Sequence, residues 1–485
     1  MYKQISTLFC SSLLIVTATA HPGGQSKTDY LRECMAKMAP ANGAVWQLYY
    51  RETAHQTYHS PEPWQTMRHI SSGAIWCNGS CFAQLDTVNG KKSPLVSKMQ
   101  WKPGELLIQP YWSDKIGNPS VSELEEQPLE LARYTPLPLL LYFSGRSVKA
   151  VITGGYAAYH DTVNGAPVTI FIDRNDQLVK RISYVQPHDM WGDVETTVEY
   201  GACLPGTACP GKALIRKVHG ITDTVAFADA HIEPQMPPLL VKPEGYTTEP
   251  DEKNAPAVVT KMLRDHIYTV TFLHTESTGF LVEFKDFFMA IDVPLCSENG
   301  ELMLAEARKL APGKPVKYYA FGHHHPWALG GVRPFIRNGA TILTVPEDEA
   351  YLRFIATAKH SLKPDSLQLQ PRPLHTAPVN DSFTVTDGET TVQMIRIGEQ
   401  SHHTKDFMVF YFPKEKLLFE GDLTAIPKEG APRKAGDRQE EGLYQAIKDR
   451  HMVVDTIVQQ WPVSDRYPLK NIFSFAELEQ SVQAK

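Results

Sequence analysis

The sequence is poor in positive charge, in long apolar runs and in cysteine, and each shortage removes a class of protein. Lys and Arg total 48 against 54 Asp and Glu, a net charge of −6. With no field to hold a polyanion, nucleic acid is excluded as a partner class. Beyond the opening residues no apolar stretch approaches the ~20 residues that a membrane-spanning helix requires. Neither Gly-x-Ser-x-Gly nor a Gly-rich phosphate loop occurs, which argues against a serine hydrolase. Cysteine numbers 7, and none of the spacings is the C-x2-C of a four-thiolate zinc site.

What remains is ample. With 42% apolar and 21% charged residues, a chain of 485 can build two or three packed cores. Residues 1–20 run from Lys3 through the apolar Leu8–Val16 to Ala18-Thr19-Ala20, the order of a secretory signal with its cleavage site. The apolar part is too short for an anchor, so we expect a periplasmic or secreted protein with no transmembrane segment once the signal is removed. An even number of cysteines then remains, which in an oxidising compartment favours disulfides. Cys77 with Cys81, and Cys203 with Cys209, bracket short Gly-containing turns, leaving Cys34 and Cys296 to tie the halves together.

The 36 prolines exceed the roughly 24 of average usage, and they crowd between Glu233 and Pro256 among acidic residues. This divides the chain into a domain over 21–232, a Pro-rich linker over 233–256 and a domain over 257–485. The first domain shows short alternating runs such as Val168–Ile172, separated by Asn-Gly turns at 164–165 and 89–90, with one helix over Ser122–Ala132. It reads as mainly antiparallel β. In the second domain strands alternate with helices: Ile267–Leu273, Gly279–Phe284, Phe287–Val293 and Val316–Phe321 as strands, Glu301–Leu310 and Gln439–Asp449 as helices. That rhythm predicts a layered α/β domain.

His323-His324-His325 directly follows the strand Val316–Phe321. Alternate side chains of extended backbone share a side, so His323 and His325 can meet one ion while His324 faces away. Ser401-His402-His403-Thr404-Lys405-Asp406 follows another strand, and Phe419-Glu420-Gly421-Asp422 ends a third. Imidazoles and a carboxylate at neighbouring strand ends suit a divalent cation.

From these residues the segment from about Ile267 to the C-terminus resembles the metallo-β-lactamase fold, and in particular exported bacterial proteins that join such a domain to an N-terminal β domain. Gly322–Gly331 is similar to the family's T-H-x-H-x-D-H-x-G-G loop, His403–Asp406 to its third-histidine loop, and Asp422 to its later metal ligand. The resemblance implies an αββα sandwich and a metal set of His323, His325, His403 and Asp422, with His403 preferred to His402 by its distance from the strand Phe407–Phe412. Two departures matter. Trp327 and Ala328 stand where the family has Asp and His, and Gln459-Gln460-Trp461 stands where it has a further metal histidine.

Those losses fall on the neighbouring metal site alone, so the resemblance implies a single ion. Zinc is expected, and iron or manganese also suit the donors. The family's usual aspartate for holding the attacking hydroxide is absent, and no catalytic residue is assigned. Asp406 and Asp422 are the nearest carboxylates, Asp406 reading as a structural acceptor. Trp327 and Trp461 could wall an apolar substrate or simply fill the vacated space. The expected function is a mononuclear zinc hydrolase of an ester, thioester or amide small molecule; the alternative is an inactive, metal-stabilised binding or docking protein of the bacterial envelope. The basic stretch Gly430–Arg438 reads as a solvated loop.

Overall fold

The computed structural model describes residues 29–89, 94–251, 256–430, 438–461 and 468–483. The expected signal segment and most of the basic loop 430–438 lie outside the described residues. Residues Val45–Glu233 supply a 12-stranded sheet in which every pairing is antiparallel. Alternation drives it: Ala166–Asp173 buries every second residue, so one face turns inward. The first strand, Val45–Gln56, lies mid-sheet beside the last, Thr222–Glu233, with Val45 opposite Glu233. From that pair two meanders run outward in opposite directions.

The chain must therefore travel from one sheet edge to the other. It does so through helices Val121–Leu131 and Leu137–Ser144, which pack with helix Tyr30–Met38 and the inward residues of strands from both meanders into one core. Ser120 starts the crossing with a capping box, accepting from Glu123 N while the Glu123 carboxylate accepts from Ser120 N. The Pro-rich stretch after Glu233 runs along this domain: Lys242 pairs with Glu105 at 3.0 Å and Glu249 N donates to Pro119 O at 2.8 Å.

The second domain has two sheets. Strands from Val258–Arg264 to His375–Pro378 form a seven-stranded sheet, antiparallel at first and parallel from Phe288–Ile291 onward. Strands from Ser382–Thr386 to Ile472–Ser474 form a six-stranded one. Their facing sides close on a core in which Phe280 stacks on Phe419 at 4.2 Å. Helices Ser297–Leu310, Val332–Arg337 and Glu349–Thr357 cover the outside of the first sheet, and Arg438–Asp449 and Phe475–Gln483 that of the second. The result is the expected αββα sandwich.

The expected disulfides are not formed: all six described cysteines are free thiols. Burial pushes Cys34 and Cys209 up to about 12, so the thiolate needed for exchange is suppressed. Cys34 packs against Met38 in the first core, whereas Cys296 caps helix Ser297–Leu310 in the second domain. The Cys81 thiol turns instead to Asn78 Oδ1, at 3.0 Å. Among the described residues no helix is long and apolar enough to cross a membrane.

The domains meet along a seam. The first domain's turn at Gly192 inserts against Lys359: Asp193 N donates to Lys359 O at 2.6 Å, and its carboxylate accepts from Ser361 N and Leu362 N. Gly192 has φ +71, and a Cβ there would lie 2.0 Å from Lys359 O, so only glycine permits the approach. The loop after Gln56 also crosses the seam, with Pro61 O accepting from Lys405 N at 2.9 Å.

Candidate metal centre

Strand Val316–Ala320 delivers the chain to Gly322, whose N–H donates to Asp292 Oδ1 at 2.7 Å and whose carbonyl accepts from Met408 N at 2.7 Å. This clamp fixes the start of the histidine run between the ends of both sheets. His323 then stacks on Phe407, at 4.9 Å and 13°. Its ring centroid lies 4.5 Å from that of His325 and 5.0 Å from that of His403, and the last two are 4.9 Å apart. The histidine that completes the triangle is His403; His402 beside it has φ 53 and is exposed.

One ring nitrogen from each of His323, His325 and His403 lies within 4.8 Å of the other two, a spacing that could hold a metal ion. His323 and His325 are each only 1% exposed. His323 Nε2, His325 Nδ1 and His403 Nε2 have no hydrogen-bond partner, an arrangement that is costly unless something fills the space between them. Asp422 Oδ1 lies 3.5 Å from His403 Nε2 and 3.9 Å from His323 Nε2, also without a donor. The four residues anticipated from sequence are thus brought to one place.

Burial drives the electrostatics. It holds His323 well below the usual imidazole range, helped by His325 and His403, and pushes His325 down to about 3. Both rings are neutral at physiological pH and offer lone pairs. The tautomer of His325 is set from the other domain, since its Nε2 lies 2.9 Å from the carbonyl of Ser60. With Nε2–H donating there, Nδ1 is left as the free lone pair. His403 Nδ1 lies 2.9 Å from the side-chain amide of Gln439. That amide can present oxygen as readily as nitrogen, so it too can free the inward nitrogen.

Several members were not anticipated. His59, from the first domain, stacks on Trp327 at 5.5 Å and meets His325 edge-on at 5.7 Å. Asp292 and Glu420 lie fully buried behind the histidines, and burial raises Asp292 well above the carboxylate range and Glu420 to about 8. Glu420 accepts from Leu423 N and Thr424 Oγ1, both at 2.9 Å, and so shapes the turn that presents Asp422. Asp406 serves the frame: its carboxylate accepts from His324 N at 2.6 Å and sits 3.0 Å from His324 Nδ1. Trp327 O accepts from the Gln460 side chain. The strand ends Phe288–Ile291 and Leu417–Glu420, each followed by or ending in acid, were the available signals for Asp292 and Glu420.

No family model and no curated protein matches the chain. Among solved structures it is similar to a metallo-β-lactamase from Pontibacter korlensis, at 18% identity and a TM-score of 0.34, over 47% of this chain and 97% of that one. It is likewise similar to the metallo-β-lactamase FIM-1 from Pseudomonas aeruginosa in its mono-zinc form, at 16% identity and a TM-score of 0.34, over 47% of this chain and 93% of that one. By its own layers and strand order the second domain is an αββα sandwich, carrying a histidine cluster that could hold a metal ion.

Proposed function

We propose that the chain is an exported, mononuclear zinc-dependent hydrolase acting on a small ester, thioester or amide. One observation carries the reading: the buried imidazoles of His323 and His325 converge with the partly buried ring of His403, their facing nitrogens unpartnered, beside the unpartnered oxygen of Asp422. Three nitrogens and a carboxylate are a donor set that zinc favours over harder ions. When bound, zinc supplies Lewis acidity, enough to polarise a carbonyl and to bring the pKa of water toward ~7.

The chain's own groups do the rest. Ser60 keeps the inward nitrogen of His325 free of a proton, and the Gln439 amide, turned to present its oxygen to Nδ1, would do the same for His403. Trp327 and His59 form a flat wall at the mouth, suited to an apolar acyl or aromatic group. His59 is exposed, yet partial desolvation holds it below the usual imidazole range, with Asp422 opposing that shift, so at neutral pH it can accept a proton beside the trio and return it to a leaving group. It takes over the work of the aspartate replaced by Trp327.

Zinc-reconstituted protein and His323→Ala protein, compared on ester, thioester, lactam and phosphodiester substrates, test this. The expected result is hydrolysis of one class, with both zinc at the trio and turnover lost in the variant. Hydrolysis that survives the substitution overturns the proposal. Zinc retention without turnover on any class points to the alternative, a metal-stabilised binding protein, for which the near-complete burial of His323 and His325 speaks.

A further inference from the structure

Beside the trio lies a second cluster that this reading leaves unused. His324 sits between two trio histidines in sequence but turns to Asp406. Asp348 joins them: one ligand atom from each of His324, Asp348 and Asp406 lies within 4.8 Å of the other two, and all three residues are buried. Asp348 occupies the N-cap of helix Glu349–Thr357, where an aspartate ordinarily accepts from the first turn, yet its side chain makes no capping bond. Both of its oxygens, and Nε2 of His324, are buried without a hydrogen-bond partner. Asp406 accepts from His324, but no donor reaches the Asp348 side chain, and two ionised carboxylates this close would repel with no water to screen them. Either a proton or a cation must sit between them.

We propose that His324, Asp348 and Asp406 bind a divalent cation distinct from the one at the trio. One imidazole and two carboxylates are a harder donor set than three imidazoles, suited to Mn²⁺, Fe²⁺ or Mg²⁺ with water completing the shell. Both aspartates line a cavity of about 700 Å³ on the seam, walled on one side by Pro61–Trp64 of the first domain, which gives the ion an entry path. The cavity's basic side chains are committed elsewhere: Lys405 to Glu62, Arg396 to Glu347 and Arg450 to Asp381. The ion's work is mechanical. His324 belongs to the first histidine loop, Asp406 to the second and Asp348 to a helix start, so a single cation ties all three together.

Chelator-treated protein given one equivalent of zinc and then titrated with Mn²⁺ tests the site, bound Mn²⁺ being read as loss of the free six-line paramagnetic resonance signal. Native protein with its one zinc, and His403→Ala protein given no zinc, are each expected to bind one Mn²⁺. Asp348→Asn protein is expected to bind it more than about tenfold more weakly. His324→Asn serves as a second variant with the same expectation, and circular dichroism checks that each is folded. Because His403→Ala removes the zinc centre while sparing this cluster, failure of the hydrolase reading and failure of this site are told apart. The rival is a proton shared between the carboxylates. In that case Asp348→Asn, whose amide supplies the missing N–H, melts no lower than native protein and native protein binds no Mn²⁺. Either that result or undiminished Mn²⁺ binding in both variants overturns the proposal.

Discussion

The ring of His59 lies flat on Trp327 and edge-on to His325, while the carbonyl of its neighbour Ser60 accepts from His325. One short piece of the first domain therefore sets the tautomer of His325 and lays a ring against both it and Trp327. His59→Ala should leave the zinc content unchanged and lower turnover on the identified substrate by about 10²- to 10⁴-fold, removing the limb of the pH–rate profile that reports the base. Elemental analysis paired with initial rates over pH 5 to 9 checks this; a variant that loses zinc in proportion to activity would assign His59 a structural role instead. His323 and His325 were legible because extended backbone gives a two-residue spacing a shared direction, whereas His403 was picked out only through the resemblance of its loop and its distance from the strand Phe407–Phe412. His59 and Asp348 were not, because their partners lie far along the chain, and Ser60 contributes a backbone carbonyl, which any residue carries.

At the scale of elements, helix Arg438–Asp449 lies across the turn Gly398–Ser401 that leads into His403. The contact closes only because residue 442 has no side chain: a Cβ there would stand 1.9 Å from Gln400 O. Gly442→Ala should force the helix outward, destabilise the domain by about 1 to 3 kcal/mol and draw Gln439 away from His403. Thermal melting with and without zinc checks it, the variant being expected to melt lower and to gain less from the metal. Strands such as Ile267–Phe272 and Val316–Ala320 were readable to within a few residues, since alternation and Gly or Pro stops mark their ends, but the edge strands Val258–Arg264, His375–Pro378 and Ile472–Ser474 went unread. Helix Leu137–Ser144 was missed because it is apolar almost all round and packs inside the curled sheet, buried at Leu137, Leu139, Leu140 and Phe143; such a segment has no periodic face to detect.

Over the whole molecule the two domains share one aromatic seam. His188 stacks on Trp191 at 4.2 Å and shares a 2.8 Å hydrogen bond with Tyr58, while Trp191 Nε1 donates to Tyr351 of the second domain. Burial, with a lesser effect of His360, pushes His188 down from 6.5 to about 4. In the unfolded chain the ring titrates near 6.5, so between those two values the unfolded state binds a proton that the folded state refuses. This contribution is therefore complete above about pH 6.5 and is lost as the pH falls toward 4, by at most about 1.4 kcal/mol per pH unit. Denaturant midpoints at pH 7.5 and 5.0 should show the fall, and His188→Gln should flatten it; an unchanged slope would place the ring outside the seam's energetics.

The change from alternating runs to strands interleaved with helices is the trace that the long antiparallel sheet and the layered sandwich leave in the sequence. That the first sheet begins and ends at its middle was not legible, since pairing order leaves no local trace. It has a consequence for how the protein is made. Val45 finds its neighbour only when Glu233 is available, so one side of the nascent strand, the other pairing early with Met67–Cys77, emerges from the ribosome long before its partner exists. Sheet closure must wait for nearly the entire domain, which makes folding slow and leaves the early hairpins in need of protection from other chains during synthesis.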